Sequence, residues 1–335
     1  MTSQTSIPTP PPTDLGQASG QWIDPSLDLF EEIEKLKKER KAVVLAHYYQ
    51  DADLQDIADV LGDSLQLAQA ARARKDAEVI LFLGVHFMAE TAKILCPEKT
   101  VVLPDLAAGC SLADACPADK LAAWRKDHPE HVVVTYINST AATKAESDWI
   151  CTSSNAKRII EAIPRDQPIL FAPDQNLGAW LAKTCGREMD LWPGSCIVHI
   201  TFSERQIVRL KAEHPDAEFI AHPECEDNVL RHADFVGSTS RLLERVATGE
   251  SKTFIVGTET GILHEMRRQA PDKVLIPAPV EARDDGTCGC QECPYMKLNT
   301  LEKAYLALRD LKPSIELDED LRQRALVPLE RMLSI

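Results

Sequence analysis

Val43-Val44-Leu45-Ala46-His47-Tyr48-Tyr49 is an unbroken apolar run that ends on an imidazole and two phenols. A run this short and this apolar predicts a strand buried on both faces of a parallel sheet. Six such segments follow one another: 42–46, 79–83, 132–137, 168–172, 218–221 and 253–256. The stretches between them carry helical periodicity, so the chain reads as α/β, built from βα units. The ordered part is expected to begin near Asp24-Pro25, as a helix cap followed by proline, with Leu27, Phe30, Ile33 and Leu36 on one face. Two more amphipathic helices are expected in the last 40 residues, packing back on the first domain. One of them starts at Asn299, with Glu302 three residues on.

The opening run has two counterparts, Val132-Val133-Val134-Thr135-Tyr136-Ile137-Asn138 and Phe219-Ile220-Ala221-His222-Pro223-Glu224. Fifteen residues after Tyr49, Asn138 and Glu224 stand Ser64, Ser153 and Thr239, the last with Ser238 beside it. Phe82, Phe171 and Phe254 follow His47, Tyr136 and His222 by 35, 35 and 32 residues. Each copy then closes on a cysteine: Cys110, Cys196 and Cys293. Any α/β chain repeats loosely once per βα unit, but agreement of several offsets together favours a threefold architecture.

Composition narrows the function. The chain has 335 residues, 44% hydrophobic and 27% charged, with a net charge of −15. That charge argues against a nucleic-acid surface. There is no apolar run of membrane-spanning length, so no membrane association is expected. Residues 1–20, rich in Ser, Thr and Pro, read as a disordered tail and not as a signal peptide, which predicts a cytoplasmic protein. In that setting ten cysteines point to metal binding, catalysis or small core residues, and not to disulfides.

Open α/β sheets place ligands at the C-terminal ends of their strands. A single His at such a place is more often structural than catalytic; three strand ends with polar pairs favour a site. Ser64, Ser153, Ser238 and Thr239 stand where helices begin. N-capping alone would explain them, but helix N-termini also hold anions. Cys96, Cys151, Cys185 and Cys225 have the surroundings of core residues. Thr287-Cys288-Gly289-Cys290-Gln291-Glu292-Cys293-Pro294 has the look of a metal loop, yet lacks the second cysteine pair of a structural zinc site. A cluster held by one cysteine from each copy fits better, and Cys-Pro favours Cys293. Cys110 and Cys196 each follow a small residue, read as leaving room for a bulky group. Cys116, also followed by proline, competes with Cys110.

These motifs resemble the quinolinate synthase family of iron–sulfur enzymes in NAD biosynthesis. The resemblance spans about residues 28–300. It rests on Ala46-His47-Tyr48-Tyr49-Gln50, Gly62-Asp63-Ser64, Gly109-Cys110-Ser111-Leu112-Ala113-Asp114, Tyr136-Ile137-Asn138-Ser139, Cys151-Thr152-Ser153-Ser154-Asn155-Ala156, Cys196-Ile197-Val198-His199, His222-Pro223-Glu224, Val236-Gly237-Ser238-Thr239-Ser240 and Cys293-Pro294-Tyr295-Met296. It implies three pseudo-equivalent αβα (Rossmann-like) domains around a central active site, here placed at 21–110 with 296–335, 111–197 and 198–295. It implies a 4Fe–4S cluster held by Cys110, Cys196 and Cys293. It also implies condensation of iminoaspartate with dihydroxyacetone phosphate to quinolinate, with loss of phosphate and two waters, coupled to an enzyme that makes iminoaspartate. Carried over motif by motif, His47, Tyr49, Tyr136, Asn138, His199, His222 and Glu224 line the cavity, and Ser64, Ser153, Ser238 and Thr239 hold phosphate and carboxylates. Glu224 is the expected base, with His47 and Tyr49 assisting enolisation and His222 the fourth catalytic candidate. Two departures stand out: the last cysteines are spaced CxCxxC, which leaves a Cys288–Cys290 redox pair in question, and Ile200-Thr201 follow His199 where acidic residues are common in the family. The alternatives are another three-cysteine cluster hydro-lyase, or a cluster-bearing redox sensor without catalysis.

Overall fold

A computed structural model describes residues 22–281 and 291–335. The expected tail at 1–20 and the pair Cys288 and Cys290 lie outside these residues. The first unit runs α1 (Leu29–Glu39), β1 (Ala42–His47), α2 (Ala52–Asp56), β2 (Val60–Gly62), α3 (Ser64–Ala73), β3 (Val79–Leu83), α4 (His86–Leu95) and β4 (Thr100–Val102). After the short α5 (Ser111–Ala115), the second runs α6 (Ala118–Asp127), β5 (Val132–Tyr136), α7 (Ala141–Ala145), β6 (Trp149–Cys151), α8 (Ala156–Ala162), β7 (Ile169–Ala172), α9 (Gln175–Cys185) and β8 (Asp190–Leu191). The third runs α10 (Glu204–Glu213), β9 (Glu218–Ala221), α11 (Asp227–Leu230), β10 (Phe235–Val236), α12 (Thr239–Thr248), β11 (Thr253–Gly257), α13 (Ile262–Gln269) and β12 (Val274–Pro277). Two helices close the chain, α14 (Leu301–Asp310) and α15 (Glu319–Leu333).

The three units share one order of elements and one topology. Their sheets are β2-β1-β3-β4, β6-β5-β7-β8 and β10-β9-β11-β12, with every pairing parallel. All six predicted strands are present, the central two of each sheet. The second and fourth strand of each sheet were not foreseen, because runs of two to four residues at a sheet margin carry no measurable period.

The repetition extends to single contacts. The N–H groups of Val44, Val133 and Phe219, one in the first strand of each unit, donate to Asp59, Asp148 and Asp234, each at 2.8 Å. Each aspartate lies fifteen residues on, just before the marginal strand. A cation from the first helix of the unit pairs with it: Lys37 at 2.8 Å, Arg125 at 3.1 Å and Lys211 at 2.9 Å. The same cations donate to the carbonyls of Ile57, Glu146 and His232, two residues before the aspartate. One carboxylate thus holds strand to strand, and one cation holds helix to sheet, three times over.

Two predicted helix starts move. Asp24 accepts from Ser26 in a turn, and Asp28 is the residue that caps α1, accepting from Phe30 and Glu31. Thr300, not Asn299, caps α14; Asn299 is buried and donates to the Gly84 carbonyl at 2.7 Å. α14 packs on α1 and β3 of the first unit, as expected. α15 does not stay there. It lies across α7 and β6 of the second unit as well as α4 of the first. Ala325, Leu329 and Met332 seal this joint, and Arg322 donates to Ile94 while Arg331 donates to Asp148. Among the described residues no helix is long and apolar enough to cross a membrane.

Candidate active site

The C-terminal ends of β1, β5 and β9 converge on one cavity. His47, Tyr49, Tyr136, Asn138, His222 and Glu224 line it from the strand ends, Ser64, Ser153 and Thr239 from the helix starts, and His199 from the turn after Cys196. Cys110, Cys196 and Cys293 line it too. Tyr48, between two lining residues, turns away instead and packs on the apolar core of the third unit. Ser238 does not line the cavity; its hydroxyl caps α12, accepting from Arg241. Ser64 is no cap, because Asp63 performs that task for α3 in a capping box with Gln66.

Glu224 is the point where the units meet. It is 3% exposed, accepts from the Tyr136 hydroxyl at 2.7 Å, and has His199 Nδ1 at 3.0 Å. Burial opposes its charge, but His199 and His222, with the hydrogen bonds of His199 and Tyr136, outweigh burial and hold the carboxyl below its ordinary range. It is therefore ionised at neutral pH. Burial pushes His47 down to about 4 against the pull of Asp63 and Glu224, and His222 to about 3 against that of Glu224. Both imidazoles are thus neutral. Each accepts on Nδ1 from the N–H two residues on: Tyr49 to His47 at 3.1 Å and Glu224 to His222 at 3.4 Å. This places their protons on Nε2, and His222 Nε2 lies 3.3 Å from Ser153 Oγ. Burial raises Tyr49 and Tyr136 well above the ordinary phenol range, so both remain donors.

The three cysteines occupy equivalent settings. Burial pushes the Cys110 thiol up to about 12 and that of Cys293 to about 11, and carries Cys196 well above its usual range. Backbone N–H groups of the helical turn after each oppose this: Leu112 and Ala113 for Cys110, His199 for Cys196, Tyr295 and Met296 for Cys293. Three partly buried thiols sharing a cavity, each met by turn N–H groups, form a donor set that a cationic metal group would convert to thiolates. Cys196, His199 and Glu224 also bring ligand atoms within 4.8 Å of one another, the spacing of a single-ion site. Cys116 lies in the core with Leu121, Val133 and Leu170, away from the cavity. Cys96, Cys151, Cys185 and Cys225 are likewise buried, as expected.

The glycines near Cys110 and Cys196 stand where a side chain would meet close neighbours. A Cβ on Gly194 would stand 2.4 Å from the Pro173 carbonyl oxygen, and one on Gly109 3.3 Å from the Tyr295 ring. Both permit close approach of the chain to itself, and Gly109 also lines the cavity beside Cys110. Several lining residues escaped the sequence reading. Asp63 accepts from Ser154 at 2.8 Å and Ser240 at 2.7 Å, one residue from each of the other units. Glu259 accepts from the N–H groups of Gly261 and Cys293, and Lys297 lies 3.5 Å away. Burial raises Glu259 to about 7, partly countered by Lys297. Both carboxylates stand next to a strand end, the place the reading searched in only one strand of each unit.

Three parallel sheets that close on thiols, neutral imidazoles and an ionised carboxylate define an α/β enzyme with a site suited to a metal group. The family model of quinolinate synthetase A protein matches residues 31–334. The quinolinate synthase of Thermosynechococcus vestitus is 60% identical over 92% of this chain and 96% of its own length. That of Nostoc sp. is 60% identical over 92% and 94%, and that of Chloroherpeton thalassium 59% identical over 92% and 95%. The chain belongs to the quinolinate synthetase A family.

Proposed function

We propose that this enzyme acts in NAD biosynthesis, in the cytoplasm, condensing iminoaspartate with dihydroxyacetone phosphate to quinolinate and releasing phosphate and two waters. Its domains are 21–110 with 296–335, 111–197 and 198–295, each giving one cysteine to a 4Fe–4S cluster. The observation that carries the reading is the single cavity lined by Cys110, Cys196 and Cys293 together with Glu224 and its partners. When bound, the cluster supplies an iron without a thiolate, a Lewis acid for substrate oxygens.

The chain's own groups divide the remaining work. Glu224, ionised and buried, removes the proton next to the iminium or carbonyl carbon. His199 beside it steadies that carboxylate, and Tyr136 orients it. His47 and His222, neutral with Nε2–H, donate to carbonyl or carboxylate oxygens as the charge on them grows. Tyr49 stands edge-on to His47, ring centres 4.5 Å apart, and assists enolisation of the triose phosphate. Asn138, whose buried Oδ1 has no partner, takes a substrate donor. Ser64, Ser153 and Thr239 give hydroxyls to phosphate and carboxylates, and Ser238 keeps the α12 start in order for them. Enclosure between three units excludes water from the condensation. Iminoaspartate is supplied by a separate enzyme that forms it.

The test is anaerobic purification with a visible spectrum and iron and sulfide counts, then mixing with iminoaspartate and dihydroxyacetone phosphate. Quinolinate formation that needs both substrates is expected, with Cys293→Ser losing iron. A cluster without product, or turnover of a hydroxy acid alone, would sink the reading.

A further inference from the structure

Lys144, in the short helix α7, has no exposure to solvent. An ammonium in such a place is costly unless its protons are taken up. Backbone carbonyls do this here. Nζ donates to the Ile137 carbonyl at 3.0 Å and to that of Ser139. Those carbonyls stand on either side of Asn138, which lines the cavity. The Phe87 ring, another part of the lining, has its centre 5.3 Å from the same nitrogen. Burial lowers the ammonium to about 8, against the upward pull of Glu90 and Cys110, so it is charged at neutral pH. Glu90 accepts from the Ala141 N–H at 2.9 Å and anchors the start of the same helix.

The first unit has the same device. Lys144 stands six residues after Asn138, and Gln55, in α2, stands six after Tyr49. Gln55 is 2% exposed, and its Nε2 donates to the carbonyls of Tyr48 at 3.1 Å and Gln50 at 2.8 Å, on either side of Tyr49. The same nitrogen reaches the Gly261 carbonyl of the third unit at 2.8 Å. The third unit has no such donor. Six residues after Glu224 stands Leu230, in an apolar core with Phe219 and Val229. There the ring of Pro223 restricts the turn, and Tyr136 and His199 hold the Glu224 side chain directly. Asn138 is the opposite case. Its Oδ1 has no partner, so its aim rests on the backbone that carries it.

We propose that Lys144 is a positioning residue: its ammonium ties together the two carbonyls flanking Asn138 and so keeps the free amide oxygen of Asn138 facing the substrate, as Gln55 steadies Tyr49. Without the donor, two buried carbonyls lose their partner and the turn has no reason to keep its present shape.

The kinetic arm rests on the function proposed above; a second arm does not. Lys144→Met keeps the length and removes the donor. It is expected to lower kcat/KM for quinolinate formation by about 10- to 100-fold, with iron per chain unchanged. Lys144→Gln, which gives the second unit the donor of the first, should stay within about fivefold of wild type. On an Asn138→Ala background, Lys144→Met should cost about twofold at most. A methionine variant near wild type, a glutamine variant as poor as methionine, losses that multiply on the alanine background, or a matching fall in iron would each overturn the inference. The second arm is hydrogen exchange of the anaerobic holoenzyme, read peptide by peptide. Lys144→Met should speed exchange over residues 137–141 and leave 47–51 and 222–226 as in wild type. Gln55→Leu, with the residue type the third unit carries there, should loosen 48–51 and spare 137–141. Exchange unchanged at 137–141, or raised equally at all three turns, overturns the inference even if the protein makes no quinolinate. If Lys144→Met does not fold, Gln55→Leu decides by the same criterion at 48–51.

Discussion

Glu224 belongs to the third unit, takes its phenol from the second, and has its imidazoles from the third unit and the segment before it. With the carboxylate replaced by an amide, the shape survives and the basicity does not. Glu224→Gln is expected to cut turnover by roughly 10²- to 10⁴-fold while iron and sulfide counts hold. Full turnover in that variant would remove Glu224 from the role of base. The same residues set an acid limit on the fold. His47 and His222 bind protons near pH 6.5 when unfolded, but only near about 4 and about 3 when folded. Their contribution is fully present above pH 6.5 and is lost as pH falls toward those lower values. Each imidazole then removes about 1.4 kcal/mol per pH unit. Glu224, held below the ordinary carboxyl range, adds to the loss at still lower pH. Denaturant midpoints measured anaerobically at pH 7 and pH 5 should show the decline, and His47→Gln should flatten it.

At the scale of elements, the repeated aspartate, cation and strand amide bind each marginal strand to its sheet. Asp148→Ala would leave the Val133 N–H and Arg125 without their partner. A loss of about 1–3 kcal/mol in unfolding free energy is expected, with cluster content unchanged. What could be read from the sequence divides along the same lines. The six central strands were legible because burial on both faces leaves an apolar run that needs no context. His47, Tyr49, Asn138 and Glu224 were legible because they end such runs in matched positions. Asp59, Asp148 and Asp234 keep the same fifteen-residue spacing but were not legible, since a polar residue between a short helix and a marginal strand gives no periodic signal. Glu259 was not legible because it follows β11, where the polar strand-end pattern of β1, β5 and β9 does not recur. Ser64 and Ser153 were found by their offset from the strands, although the capping argument offered for them belongs to Asp63 and not to Ser64.

At the scale of the whole molecule, α15 is what the sequence could least reveal. Its apolar face is ordinary, and nothing local says which unit it covers. Leu329 is fully buried in the joint it makes. Leu329→Ala is expected to lower stability by about 2–5 kcal/mol, read as a shift in the denaturant midpoint. If α15 served the first unit alone, probes in the second unit (Trp149 fluorescence among them) would not report the change.

The identical order of elements in the three units has a consequence for how such a site arises. A ring of three separate, equal subunits would be bound by its rotation axis to present three copies of every group. It would offer three His-Tyr-Tyr ends or three His-Pro-Glu ends, never one of each. Joining the copies in one polypeptide lifts that restriction. The first strand end is free to carry His47 and Tyr49, the second Tyr136 and Asn138, the third His222 and Glu224, while the cysteine stays common to all. The protein is a covalent pseudo-trimer that keeps its symmetry at the three cysteines of the cavity and abandons it at the strand ends.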